Sequence, residues 1–231
     1  MIGSNVLTRI FFIKANLYGT AFSIDVDGRE YLVTAKHLLD LSSPIDSIKI
    51  FWESKWTDVP VQLVGACRGQ VDIAVLAVPE RQLSPGQSLE PTPEGMVIGQ
   101  DLFFVGYPYK MWTNVGDEMG GGPLPFVRKG ALASAMDHGD GTSHMYIDAI
   151  NNEGFSGAPV VFDPPENEAR RGYPYRVSGV VAKYRIDFEK VLDENGDDTK
   201  MTVAYNTGFT IAYSITYALA LIRANPIGRL L

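Results

Sequence analysis

Cysteine is nearly absent, with one residue, Cys67, among 231. A lone thiol excludes an internal disulfide and a cysteine-based zinc site, which removes disulfide-stapled modules and thiolate metal proteins. Positive charge is also scarce. The 20 Lys and Arg against 27 Asp and Glu leave a net charge of −7 with no basic stripe, so no nucleic-acid partner is expected. Long apolar runs are missing. No stretch approaches the roughly 18–20 apolar residues that span a bilayer, so no membrane partner is expected either. The apolar run near the N-terminus is short and interrupted by Arg9 and Lys14, unlike a signal-peptide core. Together these absences lead us to expect a cytoplasmic protein kept in a reducing environment. What is present is ordinary for a globular core, with 45% apolar, 11% aromatic and 20% charged residues.

The dominant pattern is short β-branched and aromatic runs separated by turn residues. Strands are expected over 6–17, 20–26 and 31–34, with the hairpin signal Asp27-Gly28 between the last two. Further candidates are 47–51, 59–64, 73–78, 102–107, 127–134, 145–150, 158–162, 176–183 and 203–211. A single helix is expected after them. Ser214 is a good N-cap, Ile215, Leu219 and Ile222 recur at helical spacing through Arg223, and Asn225-Pro226 stops the run. A proline-rich connector separates the strands into two sets of similar size. The chain therefore reads as an all-β protein of two packed units, residues 1–85 and 96–213, with a linker at 86–95 and a helix and tail at 214–231. Two stretches look inserted: 110–126, which contains Gly120-Gly121-Gly122, and the acidic segment around 192–198, read as a solvated hairpin turn.

Three segments could carry chemistry. In Val33-Thr34-Ala35-Lys36-His37 a histidine closes a strong strand. In Val71-Asp72-Ile73-Ala74-Val75-Leu76 a carboxylate opens a run that should be buried, and such a charge needs a partner. In Gly154-Phe155-Ser156-Gly157-Ala158-Pro159 glycines flank a serine in a tight turn, where backbone N–H groups can converge beside the hydroxyl. Each alone also fits a bland reading, as a strand-end histidine, a turn aspartate and an ordinary Gly/Pro turn. Chain order adds weight. All three histidines precede Ser156, so the order Ser…Asp…His is not available to this serine. The order His37…Asp72…Ser156 remains, with the first two on one β unit and the serine on the other.

With these residues in order, the chain resembles a trypsin-like serine protease of the chymotrypsin fold, closest to the disulfide-free bacterial Deg/HtrA-type domains. Lesser echoes are Gly19-Thr20-Ala21-Phe22, Val105-Gly106-Tyr107-Pro108, 130–135, Gly179-Val180-Val181 and Thr207-Gly208-Phe209-Thr210-Ile211, so the match runs from residue 19 to 211. The resemblance implies two packed six-stranded antiparallel β-barrels followed by a C-terminal helix. It implies a hydrolase in which His37, Asp72 and Ser156 form a catalytic triad and the N–H groups of Gly154 and Ser156 form the oxyanion hole. It further implies a polypeptide substrate that adds as a strand to Ala182-Lys183-Tyr184, with Ile150, six residues before the serine, at the base of the primary pocket. Ile150 brings no charge, which favours a small or medium apolar residue before the scissile bond. No metal or cofactor is implied.

The sequence departs from the family pattern in two places. Phe155 precedes the serine where many relatives carry aspartate, and Ala158 stands where a glycine is common. These departures keep a second reading open, a protease-like module that binds peptides without cutting or waits for an activating partner or additional domain. The remaining features take structural readings. Gly120-Gly121-Gly122 lacks the lysine and serine of a phosphate loop and reads as a surface loop or a flap at the cleft. His138 and His144 are not at metal-ligand spacing, and Cys67 reads as an incidental thiol.

Overall fold

The computed structural model describes residues 2–84, 86, 88–114, 122–137, 142–164 and 175–231. A four-residue helix, α1 (Ser4–Leu7), leads into seven strands: β1 (Ile10–Lys14), β2 (Tyr18–Val26), β3 (Arg29–Thr34), β4 (Ser47–Trp52), β5 (Lys55–Pro60), β6 (Gln62–Ala66) and β7 (Ala74–Ala77). They pair in the order β5-β4-β1-β2-β3-β7-β6. The two ends of this path are consecutive in the chain, joined through Val61 alone. The second sheet contains β8 (Glu90–Pro91), β9 (Asp101–Gly106), β10 (Phe126–Asp137), β11 (Ser143–Asp148), β12 (Pro159–Phe162), β13 (Arg176–Leu192) and β14 (Asp198–Ser214). Its order is β12-β9-β10-β11-β14-β13-β8, and an additional β12–β13 pairing closes six of the strands into a ring. Helix α2 (Thr216–Ala224) and a short strand, β15 (Arg229–Leu230), follow, and β15 pairs with β3 of the first sheet.

The molecule is thus mostly β and built on two sheets, consistent with a chymotrypsin fold. The strand count differs from two sets of six. Among the described residues the first sheet has eight strands once β15 is included, and the second has seven. Other boundaries also move. The run 6–17 divides because the N–H groups of Val6 and Leu7 close a turn on Gly3 O, leaving the strand to begin at Ile10. Ser214 ends β14 rather than capping α2, although its Oγ still accepts the Thr216 N–H at 3.3 Å. The expected turn at Asp27-Gly28 is present, with positive φ at both residues (51° and 72°), as a type I′ hairpin requires. The acidic stretch is a turn too, but β13 and β14 run up to it from both sides.

Side-chain alternation distributes the core. Ile10 and Phe12 enter a cluster to which both sheets contribute, while Phe11 and Ile13 enter one confined to the first sheet. The second sheet has its own cluster around Phe104, Ile147, Val160 and Ala212. The shared cluster joins Phe12, Val33 and Val75 to Val105, Tyr107, Val180 and Tyr213, so the sheets meet through a continuous apolar contact.

Candidate active site

His37 and Asp72 are brought together by strand register. Strands β3 and β7 are antiparallel neighbours with Thr34 opposite Ala74, so the residues just after Thr34 face those just before Ala74. A 3-10 turn, Lys36–Leu38, then carries His37 out of the sheet. Asp72 holds it twice. Oδ1 accepts the His37 backbone N–H at 2.9 Å, and Oδ2 meets ring Nδ1 at 2.5 Å. An ionised carboxylate can only accept, so Nδ1 carries the proton and Nε2 keeps a free lone pair. The Asp72 side chain is mostly covered, and the His37 ring remains open on its other side.

The loop that presents Asp72 is fastened from both sheets. Lys36 Nζ donates to Cys67 O at 2.9 Å and Gly69 O at 3.0 Å. From the second sheet, the Tyr213 hydroxyl donates to Gln70 O at 2.5 Å. Burial, with the nearby Asp72 charge adding to it, pushes the Tyr213 pKa up to about 12. Burial likewise pushes the Cys67 thiol up to about 11; the Asp72 charge adds to the rise and Lys36 opposes it. Cys67 therefore stays protonated and unreactive near neutral pH.

Ser156 sits on the turn before β12 and is the one partly exposed residue in the buried run 154–162. Thr20, on β2 of the first sheet, fixes that turn. Its backbone N–H donates to Ser156 O at 2.9 Å, its Oγ1 donates to Gly154 O at 2.8 Å, and its Oγ1 accepts the Tyr107 N–H at 3.2 Å. Two glycines allow the approach. Gly157 has φ +83°, and a Cβ there would run into Thr20 O, Thr34 Oγ1 and Ala35 N. Gly154 has φ +101°, and a Cβ there would strike Tyr107 O. The serine turn is thereby pressed against Thr34 at the end of β3 and Ala35, two residues before His37. Phe155 buries completely and packs edge-on against Phe104 at 5.0 Å, so it anchors the turn in the second core. Ala158 is buried as well.

Backbone donors around the serine divide into two kinds. Phe155, Gly157 and Ala158 give their N–H groups to Asn152 O, Val181 O and Phe155 O. The N–H groups of Gly154 and Ser156 have no acceptor among the described residues. The Ser156 hydroxyl donates to Ala182 O at 3.3 Å, and it shares no hydrogen bond with His37.

The other expected contact residues lie around this turn to differing degrees. Ala182 is buried and touches the serine hydroxyl. Lys183 and Tyr184 follow it on β13, opposite Ile211 and Thr210. The Ile150 side chain is half open to solvent. Asn206 was not singled out from the sequence. Its Nδ2 donates to Asn151 O at 2.8 Å and its Oδ1 accepts the Gly208 N–H at 3.0 Å, tying β14 to the segment leading to Ser156. The triplet Asn206-Thr207-Gly208 inside a strand run was the available signal. Thr20 gave a weaker one, as part of a family echo, with nothing to reveal its partners. Among the described residues no His, Cys, Asp and Glu cluster suits a metal, and no helix is long and apolar enough to cross a membrane. His138 and the glycines at 120 and 121 lie outside the described residues. His144 lies on β11 with its ring 4.6 Å from that of Tyr213.

The family of trypsin-like peptidase domains matches residues 19–168. No curated protein sequence matches the chain. Among solved structures, the active form of the Rv3671c protease of M. tuberculosis is similar at 19% identity and a TM-score of 0.59, over 96% of this chain and 82% of that one. The HtrA-type protease AlgW, solved with a tripeptide, gives 19% identity and a TM-score of 0.58 over 96% of this chain and 61% of its own. The serine endoprotease of Yersinia pestis gives 16% and 0.57, over 95% of this chain and 64% of that one.

Proposed function

The chain belongs to the family of trypsin-like peptidase domains, and from that membership we propose that it is a serine endopeptidase working through His37, Asp72 and Ser156. One observation carries the reading: Asp72 grips His37 at both ring and backbone, which fixes the tautomer a general base needs. In the proposed reaction Ser156 Oγ attacks the peptide carbonyl carbon while its proton passes to His37 Nε2. The imidazolium, held by Asp72, then protonates the leaving amine as the C–N bond breaks. Water, deprotonated by His37, hydrolyses the resulting acyl-enzyme. The Gly154 and Ser156 N–H groups, which have no other acceptor among the described residues, would receive the negative oxygen of the tetrahedral intermediates; one such donor is commonly worth about 2.7–4 kcal/mol of barrier. Substrate backbone would add to Ala182-Lys183-Tyr184, and Ile150 would favour a small or medium apolar side chain before the scissile bond. Two closed barrels, a polypeptide substrate and cytoplasmic residence belong to the same proposal.

A second reading draws on one specific contact. The Ser156 hydroxyl points to Ala182 O instead of His37, as it would in a peptide-binding module or an enzyme awaiting a partner. Intact mass after treatment with a serine-directed fluorophosphonate separates the two. A single adduct on the wild type and none on Ser156→Ala is the result expected of the protease. A folded wild-type protein that takes up no reagent would overturn that reading in favour of the binding module or of an enzyme that awaits a partner.

A further inference from the structure

Strands β13 and β14 pair from their roots at Gly179 and Ser214 out to Leu192 and Asp198. Beyond residue 182, both leave the buried core and form an exposed two-stranded ribbon. Among the described residues, the other edge of β13 is occupied only near its start. It pairs with β12 through Val180, and Val181 exchanges hydrogen bonds with Gly157 and Ala158 of the serine turn. From Ala182 onward no described residue pairs with that edge, and Ala182 O receives the Ser156 hydroxyl. The open edge therefore begins at the candidate nucleophile and continues outward for roughly 26 Å from Tyr184 to Leu192, at about 3.3 Å per residue. The Phe188 N–H turns to the carboxylate of its own neighbour, Asp187, at 2.9 Å, as an amide without a strand partner does.

The side chains fit the same occupant. Residues 184, 186, 188, 190 and 192 share one face of β13. Ile186, Phe188 and Leu192 on that face are 49%, 66% and 56% exposed. Their neighbours on β14 cannot cover them, since Asn206 stands opposite Ile186 and Ala204 opposite Phe188. The acids Asp187 and Glu189 belong to the other face, and the one charge among the three apolar side chains, Lys190, is paired with Asp198 at 2.6 Å. A long edge that no described residue pairs, with three exposed apolar side chains along it, invites strand addition, which folded proteins normally blunt.

We propose that the β13 edge from Tyr184 to Leu192 is an extended docking rail for the polypeptide substrate, engaging one flank of the scissile bond as an added β-strand. The occupant is an extended, β-prone, apolar segment of unfolded chain, held by main-chain hydrogen bonds and by Ile186, Phe188 and Leu192. This inference rests on the protease reading for its register, because the rail starts at the Ser156–Ala182 contact. It predicts an enzyme that discriminates against short peptides.

The test uses the full chain and peptides sharing one scissile segment, extended by up to eight alternating Val and Thr residues on either flank. Extension on one flank should raise kcat/KM about tenfold or more, the scale of two or three added backbone hydrogen bonds. N-methylation of alternate amides in that flank should abolish the gain. The double variant Ile186→Ser, Phe188→Ser should lose most of the gain while cleaving the unextended peptide like the wild type. Equal kcat/KM for short and long peptides would overturn the rail, and so would a variant that loses both activities together. Fluorophosphonate labelling of Ser156 reports separately on the protease reading. Should nothing be cleaved, fluorescence anisotropy with Ser156→Ala decides. Tenfold tighter binding of the extended peptide supports the rail, and equal binding overturns it. Sedimentation that detects a dimer sealed along this edge and unmoved by peptide would also overturn it.

Discussion

At the residue scale the candidate site is held by side chains outside the proposed triad. Thr20 spends its backbone N–H and its hydroxyl on the serine turn and on Tyr107. Thr20→Val keeps the shape and strands the buried Gly154 O and Tyr107 N–H. We expect a loss of about 2–3 kcal/mol in stability, read by urea unfolding, and slower fluorophosphonate capture by Ser156 in the protein that stays folded. Tyr213 acts at longer range, holding the Asp72 loop through Gln70 O. Tyr213→Phe should lower kcat several-fold and leave KM close to wild type. It should also change the alkaline limit. The folded state keeps this phenol neutral up to about pH 12, whereas an unfolded tyrosine ionises near about 10. The stabilisation is therefore complete below about pH 10 and lost as pH climbs toward about 12. The Phe variant lacks that share of the decline, which urea midpoints between about pH 9 and 12 would detect. His37, Asp72 and Ser156 were legible in the sequence as candidates because each sits in a motif and the three occur in a distinctive order. Thr20 and Tyr213 were not, because their partners lie 134 and 143 positions away in sequence.

At the element scale the ribbon is the clearest departure from expectation. Sequence patterning placed strands at 176–183 and 203–211 and an inserted, solvated hairpin turn around 192–198, and left 184–191 and 199–202 unassigned. Both strands in fact continue to the turn. Residues such as Asp187, Glu189 and Lys190 interrupt the apolar signal because that part of the ribbon is solvated on both faces, and periodicity reports burial, not backbone pairing. The same solvation predicts its dynamics. Amides of 186–204 should exchange with deuterium well before those of β9, β12 and the buried start of β13, since local opening there exposes little apolar surface. Hydrogen exchange read by mass spectrometry tests this, and equal protection along the whole of β13 would contradict it. The helix stop at Asn225-Pro226 was read correctly because its chemistry is local. Asn225 caps α2 and its Nδ2 donates to Val64 O at 2.9 Å.

At the scale of the whole molecule, the chain closes on itself. After β14, helix α2 crosses to the first sheet, where Leu221 lies over Gly65, and β15 then pairs with β3. A buried charge helps join the parts. Arg9, almost fully covered, makes a two-pronged contact with Asp25 at 3.0 and 2.9 Å and reaches Gly86 O in the connector at 3.2 Å. Asp25→Ala removes that two-pronged contact from an almost fully covered guanidinium, and we expect a loss of about 3–5 kcal/mol in a denaturant titration.

The sequence by itself determined the β class, the two strand sets, the hairpin at Asp27-Gly28 and which residues are proposed as base, orienter and nucleophile. Those properties follow from local patterning and chain order. Only the tertiary structure decided the strand count and ring closure, the tie from Thr20 to the serine turn, the two N–H groups left without acceptors, and the open edge of β13. Each of these depends on which distant backbone groups meet, and that is settled by packing against the shared core.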